Sequence, residues 1–310
     1  MNERVPVETE LVGFFRPDFI PTGRTLMRVG PDVTESPDGM LAAEDTPPAR
    51  IYDARQLQAE ALAKPGASEA RFFEDNGFVL LSHDSAVEDW DVDAMAPDNP
   101  LSRAYHPEVA ALIQDRLLPG HRLDMWQGPP LRRGPGTLNP DYAGGIHQDF
   151  GLVIDDYQEA LEAFSSPEIG KIFRARYDQE EVIGLVAINF WRTVGMKGPL
   201  RHMPLAFCHP RSIDVADVVP VGLIDFAPTG RPTNQTSLRY RAAQRWFYYP
   251  EMTAGDVLAF KQFQTLKVSP EPRVEGCFHS AFELPNTPAD AEVRQSCEHR
   301  VTVFLLDDPV

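Results

Sequence analysis

The sequence predicts an α+β protein, mainly β, in which helices of the first half flank a sandwich or barrel of short strands built in the second. Two patterns carry this prediction. Apolar residues recur at helical spacing as far as Arg176, at Tyr157, Leu161 and Phe164 and again at Ile169, Ile172 and Phe173. Beyond Glu181 they give way to apolar runs of strand length, the longest being Val182-Ile-Gly-Leu-Val-Ala-Ile-Asn-Phe-Trp191. Size agrees with both: a chain of 310 residues buries roughly three quarters of its unfolded surface and needs no disulfide or structural metal to fold.

The elements follow in chain order. Residues 1–66 are rich in Pro, Gly and Asp, with Arg28-Val-Gly-Pro-Asp-Val33 and Asp45-Thr-Pro-Pro-Ala-Arg50. They are expected to form an irregular N-terminal wrap and not an independent domain, leaving 67–310 as the main domain. A short helix is expected over 56–63, stopped by Pro65-Gly66. Residues 71–83 read as a helix end, a turn at Asn76-Gly77 and a buried strand. Tyr105-His-Pro-Glu108 leads into a helix over 109–117, closed by Pro119-Gly120. A strand over 122–126 precedes a Gly/Pro loop over 128–145. Helices over 155–164 and 167–176 follow. Strands are then expected over 182–191, 205–208, 245–249, 256–260, 276–282 and 296–306, and the turn before Asp256 has the Gly-Asp form common in double-stranded β-helices.

Composition excludes several functions. Lys and Arg total 29 against 46 Asp and Glu, a formal net charge of -17, which argues against the cationic footprint of a nucleic-acid binder. No stretch approaches the ~20 apolar residues of a membrane span. The opening residues Met1 to Glu8 are polar and acidic, without the apolar core of a signal peptide. Cys208, Cys277 and Cys297 form no CxxC and read as buried thiols, and the expected compartment is the cytoplasm. The sequence does not state an oligomeric state.

The chemistry-bearing residues begin at His147-Gln148-Asp149, after Gly144-Gly145. In a strand, residues i and i+2 share a face, so His147 and Asp149 can reach one metal ion together. A partner histidine would complete a two-His, one-carboxylate facial triad with open positions, the set used by non-haem Fe(II) oxygenases. His202, His209 and His279 are candidates for it, with His299 a fourth. His279 lies in the apolar run Cys277-Phe-His-Ser-Ala-Phe282, where a satisfied core histidine is the plainer alternative. Fifteen positions on, Arg294 and Ser296 are again spaced i, i+2. A guanidinium and a hydroxyl so placed can hold a carboxylate.

This ordered set, with Asn76-Gly-Phe-Val-Leu80, Tyr105-His-Pro-Glu108, Ala187-Ile-Asn-Phe-Trp-Arg192, Pro204-Leu-Ala-Phe-Cys208 and Arg245-Trp-Phe-Tyr-Tyr-Pro-Glu-Met252, resembles the Fe(II)/2-oxoglutarate-dependent oxygenases. Within them it is similar to the group of gibberellin-desaturase-like proteins, fungal hydroxylase/desaturase proteins and the cephalosporin 7α-hydroxylase component of cephamycin biosynthesis. The resemblance runs from about Asp53 to Leu306. It implies a double-stranded β-helix (jelly roll) core with flanking helices, and Fe(II), 2-oxoglutarate and O2 as cofactor and co-substrates. It places His147, Asp149 and His279 as metal ligands and Arg294 with Ser296 on the distal carboxylate of 2-oxoglutarate. Asn189 and Trp191 match cavity-lining positions, and Arg300 competes with Arg294 as the carboxylate clamp. Phe150, Phe190, Trp191 and Phe282 are expected as an apolar wall. Arg192 and His202 are expected near the substrate, with Arg201 and Arg211 as further attractors of an anion.

The remaining features read as structural. The run Trp246-Phe-Tyr-Tyr249 is expected in the core, His83, His106 and His121 in structural roles, and Arg132-Arg133 on a lid. The expected function is oxidation of a small specialised metabolite by hydroxylation, desaturation or oxidative cyclisation. The alternatives are a cupin-like metal enzyme that does not use 2-oxoglutarate, and a non-catalytic jelly-roll binding module.

Overall fold

The computed structural model of the chain describes residues 6–28, 44–96, 99–142 and 145–307. Most of Arg28 to Val33, and Gly144, lie outside these residues. In chain order the first strands are β1 (Val7–Glu10), β2 (Phe14–Phe15), β3 (Thr25–Met27), β4 (Glu44–Asp45) and β5 (Pro48–Asp53). Helices α1 (Ala54–Leu62) and α2 (Glu69–Asn76) lead to β6 (Phe78–Ser82), then α3 (Pro100–Ala111), β7 (Arg122–Gln127) and β8 (Leu131–Arg133). Helices α4 (Ile154–Phe164) and α5 (Pro167–Tyr177) precede β9 (Val182–Thr193), β10 (Leu205–Cys208), β11 (Val218–Leu223) and β12 (Gln235–Leu238). The last strands are β13 (Trp246–Tyr248), β14 (Asp256–Leu266), β15 (His279–Ala281) and β16 (Ser296–Leu306). The fold is α+β and mainly β.

Two sheets position the site. The larger has the order β6-β14-β9-β16-β7, with β8 also paired to β16; the second has the order β1-β5-β13-β10-β15. β9 lies at the centre of the larger sheet and is buried along almost its whole length, which is why it reads as a nearly continuous apolar run. Its alternate residues enter two different cores. Val186, Ile188 and Phe190 pack with Phe72, Phe73, Tyr105 and Val109 of α2 and α3. Leu185 and Ala187 pack on the other face with Phe150, Tyr157 and Phe173, beneath α4 and α5.

That second face changes character along the strand. In the antiparallel register of β9 and β16, Leu185 faces Phe304 and Ala187 faces Thr302. The next pairs are Asn189 with Arg300, Trp191 with Glu298 and Thr193 with Ser296. Half of this face is therefore apolar core, and the other half is buried but carries polar and charged side chains.

The structure departs from expectation in several elements, for physical reasons. Residues before 66 are not irregular throughout: β1 and β5 join the second sheet, and β3 pairs with β11. These strands are short and their partners lie far along the chain, so local pattern does not reveal them. Tyr105-His-Pro-Glu108 lies inside α3 and does not precede it. Asn99 caps this helix by accepting from the Ser102 N–H at 2.7 Å. The interior Pro107 costs about 3 kcal/mol of helix, offset by burial of Leu101, Tyr105 and Val109. The expected helix over 109–117 is the end of α3 followed by a wider turn, Leu112–Leu117. β14 runs six residues beyond the expected 260, and β15 is shorter than 276–282. Arg132 and Arg133 stand in β8, with Arg132 tied to Asp91, Gln295 and the Ser296 carbonyl, so they do not form a lid. The strands β11 and β12 were hidden in the sequence by Pro220 and by the polar run Gln235 to Ser237.

Trp246, Phe247, Tyr248 and Tyr249 are core, and Cys208, Cys277 and Cys297 are buried free thiols. His299 of β16 faces α3. Its Nε2 lies 2.8 Å from Gln127 Oε1, and its ring stacks on His106 at 5.0 Å. Burial, followed by the charge of His106, holds its pKa down to about 3. Below the ordinary value of about 6.5 the unfolded chain binds a proton here that the folded chain does not, so stability is lost as pH falls. Urea unfolding of metal-free protein at pH 7 and pH 5 should show a stability drop that is smaller by about 2 kcal/mol in His299→Gln. An equal drop in both proteins would contradict this account.

Candidate metal centre

His147 and His279 meet through backbone, not side chains alone. The His147 N–H donates to the His279 carbonyl at 3.2 Å, and the His279 N–H donates to the His147 carbonyl at 2.9 Å. This isolated antiparallel bridge joins the segment after the Gly/Pro loop to the edge strand β15. The two rings lie 4.3 Å apart between centroids. In each, Nδ1 is occupied by the carbonyl two residues earlier: Gly145 at 2.7 Å from His147 and Cys277 at 3.3 Å from His279. A ring held this way donates from Nδ1 and leaves Nε2 free as a ligand atom.

Asp149 completes the group. Donor atoms of His147, Asp149 and His279 all lie within 4.8 Å of one another. Asp149 Oδ1 lies 3.6 Å from His147 Nε2. Its other oxygen, Oδ2, accepts from Asn189 Nδ2 at 2.9 Å and from Arg300 Nε at 2.8 Å. One oxygen is thus anchored to the sheet and the other faces the histidines. Burial alone would raise the Asp149 carboxyl, but Arg300, His279 and His147, with the Asn189 hydrogen bond, hold it well below the usual carboxylate range. Burial, then the His147 charge, pushes His279 down to about 3. Both ligands are therefore in their metal-binding protonation state near neutral pH. Two imidazoles and one carboxylate suit a divalent first-row metal and leave positions open on it.

Of the candidate partner histidines, only His279 lies in this group. His209 caps a short turn, its Nδ1 accepting from the Arg211 N–H at 3.2 Å. His299 points to the other face of β16. His202 accepts from the Arg294 N–H at 3.4 Å and lies edge-on to Tyr142; burial, then the Arg294 charge, lowers its pKa from the ordinary imidazole value.

Arg294 is 2% exposed. Its guanidinium lies 3.9 Å over the Tyr142 ring and 5.5 Å from the Trp191 ring, and Nη1 donates to the Met203 carbonyl at 2.5 Å. Its Nε has no partner, nor do the buried hydroxyls of Ser296 and Thr193, which face each other across β9 and β16. Buried donors left without a partner are costly unless something accepts from them. Arg300 is occupied differently, between Asp149 and Glu298.

Other expectations are corrected by strand alternation. Arg192 points away from the metal group, its guanidinium buried against Trp90 and Tyr105 and donating to the carbonyls of His83 and Ala254. Phe190 likewise belongs to the opposite core, and Phe282 to a third. Phe150 stacks on Tyr157 at 4.3 Å within the core under the site. Arg201 and Arg211 are surface groups paired with Glu251 and Asp75. Glu298, Thr193, Tyr142 and Gln262 were missed. Glu298 had a signal, since Ser296, Glu298, Arg300 and Thr302 place a polar residue at every second position of a strand whose other residues, His299 apart, are apolar.

Comparison with known proteins agrees with this arrangement. Over 251 residues, 74% of this chain and 78% of the other, the sequence is 30% identical to hydroxylase/desaturase efuI of Hormonema carpetanum. It is 22% identical over 264 residues, 82% of this chain and 87% of the other, to the alpha-ketoglutarate-dependent dioxygenase phiK of a fungal species. The chain belongs to the hydroxylase/desaturase group of Fe(II)/2-oxoglutarate-dependent oxygenases. Residues 154–304 of this oxygenase match a family model described as an oxidoreductase/YMDC permease-like domain. Its fold is that of a variant of the iron and alpha-ketoglutarate-dependent endoperoxidase NvfI, with a TM-score of 0.67 at 21% identity over 99% of this chain and 100% of the other.

The Asp149–Arg300 pair can be tested in the metal-free oxygenase. Asp149 is buried, but 37% of the Arg300 side chain is exposed. Arg300→Met should therefore cost about 2 kcal/mol, less than the 3–5 kcal/mol of breaking a fully buried pair. Adding Asp149→Asn should recover part of that loss in a double-mutant cycle by urea unfolding. Additive losses would show that the two groups are not coupled.

Proposed function

We propose that the chain is a non-haem Fe(II)/2-oxoglutarate-dependent oxygenase that oxidises a small specialised metabolite by hydroxylation, desaturation or oxidative cyclisation. The observation that carries this reading is the His147–Asp149–His279 group, assembled on a backbone bridge and anchored from the sheet. We read the two sheets as a double-stranded β-helix, and residues 67–310 as one oxygenase domain to which 1–66 contribute edge strands. Among the described residues no helix is long and apolar enough to cross a membrane.

The residues fit the cofactor set. Nε2 of His147, Nε2 of His279 and Oδ1 of Asp149 would hold the metal. When bound with 2-oxoglutarate, Fe(II) supplies the O2 chemistry that couples decarboxylation of the cosubstrate to oxidation of a C–H bond. The protein's part is position and exclusion of water. Asn189 and Arg300 hold Asp149 so that one oxygen remains for the metal. Arg294, with Ser296 and Thr193, supplies donors for the far carboxylate of 2-oxoglutarate, since their hydrogen-bonding capacity is free. Trp191 and Tyr142 flank that guanidinium and shield it from solvent, which strengthens its hold on an anion. His202, beside Tyr142, is a candidate substrate contact.

The relatives named for 2-oxoglutarate support this reading over a cupin-like enzyme that does without it. Anaerobic addition of Fe(II) and 2-oxoglutarate should give a visible charge-transfer band only when both are present. The band should be absent in His147→Ala and His279→Ala. Arg294→Ala should raise the Kd for 2-oxoglutarate at least tenfold while leaving metal binding intact. No iron binding by the unmodified protein would overturn the oxygenase reading, and an unchanged 2-oxoglutarate affinity in Arg294→Ala would overturn the clamp.

A further inference from the structure

Strand β14 pairs regularly with β9 up to Lys261, opposite Ile188, and resumes at Phe263, opposite Ala187. Gln262 is the extra residue of this β-bulge, a device that re-aims a side chain. It is fully buried. Its Oε1 accepts from the Asp149 N–H at 2.9 Å. Its Nε2 donates to the Cys277 carbonyl at 3.3 Å and lies 3.5 Å from His279 Nδ1. The Cys277 carbonyl is the same atom that holds His279 Nδ1. The donated Asp149 N–H fixes which end of the amide is oxygen. The approach is close: a Cβ on Gly276 would lie 2.3 Å from the Gln262 carbonyl oxygen and 2.9 Å from Gln148 Cδ, so only glycine lets the 276–279 segment settle against the bulge.

We infer that Gln262 is a positioning residue that sets the spacing of Asp149 and His279, so that its amide, without touching the metal, determines how well the site binds one. The inference rests on the metal-site reading above. The His147–His279 bridge fixes two of the ligand segments to each other, and a bridge between Gln148 and Thr236 holds the next residue to β12. Neither bridge joins the Asp149 backbone to the segment of His279, and Gln262 supplies that tie. It reaches from the central sheet to the backbone of Asp149 on one side and to the Cys277 carbonyl and His279 ring on the other. Removing such a partner behind the ligands typically weakens metal affinity 10- to 100-fold.

The test uses Co(II) alone as probe, read by equilibrium titration and by its visible absorption, with thermal unfolding of the metal-free protein alongside. Gln262→Leu, which keeps the volume and removes both hydrogen-bonding ends, should raise the Kd for Co(II) at least tenfold and alter the shape of the Co(II) bands. Gln262→Glu keeps the acceptor for the Asp149 N–H but replaces the donor to the Cys277 carbonyl with an oxygen, so it keeps one of the two ties. It should recover part of the loss, binding Co(II) at least threefold more tightly than Gln262→Leu, a rescue that a merely space-filling role would not produce. Gln262→Leu binding Co(II) as tightly as the unmodified protein, with unchanged bands, would overturn the inference. If Gln262→Leu does not fold, Gln262→Met takes its place, and Co(II) binding by it as tight as in the unmodified protein, with unchanged bands, overturns the inference. If the unmodified protein binds no Co(II), the metal-site reading itself fails, and the inference fails with it.

Discussion

The site depends on one small piece of backbone pairing, the two hydrogen bonds between His147 and His279. Strands β10, β13 and β15 bring His279 to the edge of the second sheet, and the bridge recruits the His147 segment to that edge. A second bridge, between Gln148 and Thr236 of β12, holds the same segment from its other side, so Asp149 follows two fixed residues. Each ring is then turned by a carbonyl two residues earlier in its own segment, so the backbone that joins the ligands also orients them. Side chains refine this arrangement: Asn189 and Arg300 hold one oxygen of Asp149, and Gln262 holds its N–H.

The larger sheet supplies the opposite wall by dividing one strand face into two regions. Leu185, Ala187, Thr302 and Phe304 continue the core over α4 and α5. Asn189, Thr193, Ser296 and Glu298 are equally sheltered but polar, with the buried Trp191 among them and the partly exposed Arg300 beside them. Such a face is expensive to bury, and its charges are mostly paired: Arg300 with Asp149 and Glu298, and Asn189 with Asp149. The exceptions include Arg294 Nε, the hydroxyls of Ser296 and Thr193, and Asn189 Oδ1. In the function proposed above, the first three are the donors a carboxylate would take up.

Much of this was legible in the sequence, for identifiable reasons. Strands β10 and β16 were readable to the residue because their apolar runs are bounded by turn residues. The two-residue spacing of His147 and Asp149 showed that the two could reach one ion, while His279 was singled out among four histidines by the resemblance, since its apolar run read equally as that of a core histidine. Alternation along β9 was equally readable, yet Arg192 and Phe190 were assigned to the site although Asn189 and Trp191 occupy the other face. A consistent period-2 reading would have separated them. The division of labour between Arg294 and Arg300 was not legible, because it depends on which carboxylate the fold brings near each. Gln262 was hidden for a related reason: a single-residue shift in strand pairing leaves no local trace in a run such as Phe-Lys-Gln-Phe.

That shift has a consequence for how the protein can change. Deleting one residue at the bulge would let β14 pair with β9 without interruption, a gain in hydrogen bonding and sheet regularity. The same deletion would take away the amide that ties Asp149 to the segment of His279. At this position selection for a more regular, more stable sheet and selection for a competent metal centre pull in opposite directions. Stabilised variants of this scaffold will tend to lose the bulge unless metal binding is selected with stability.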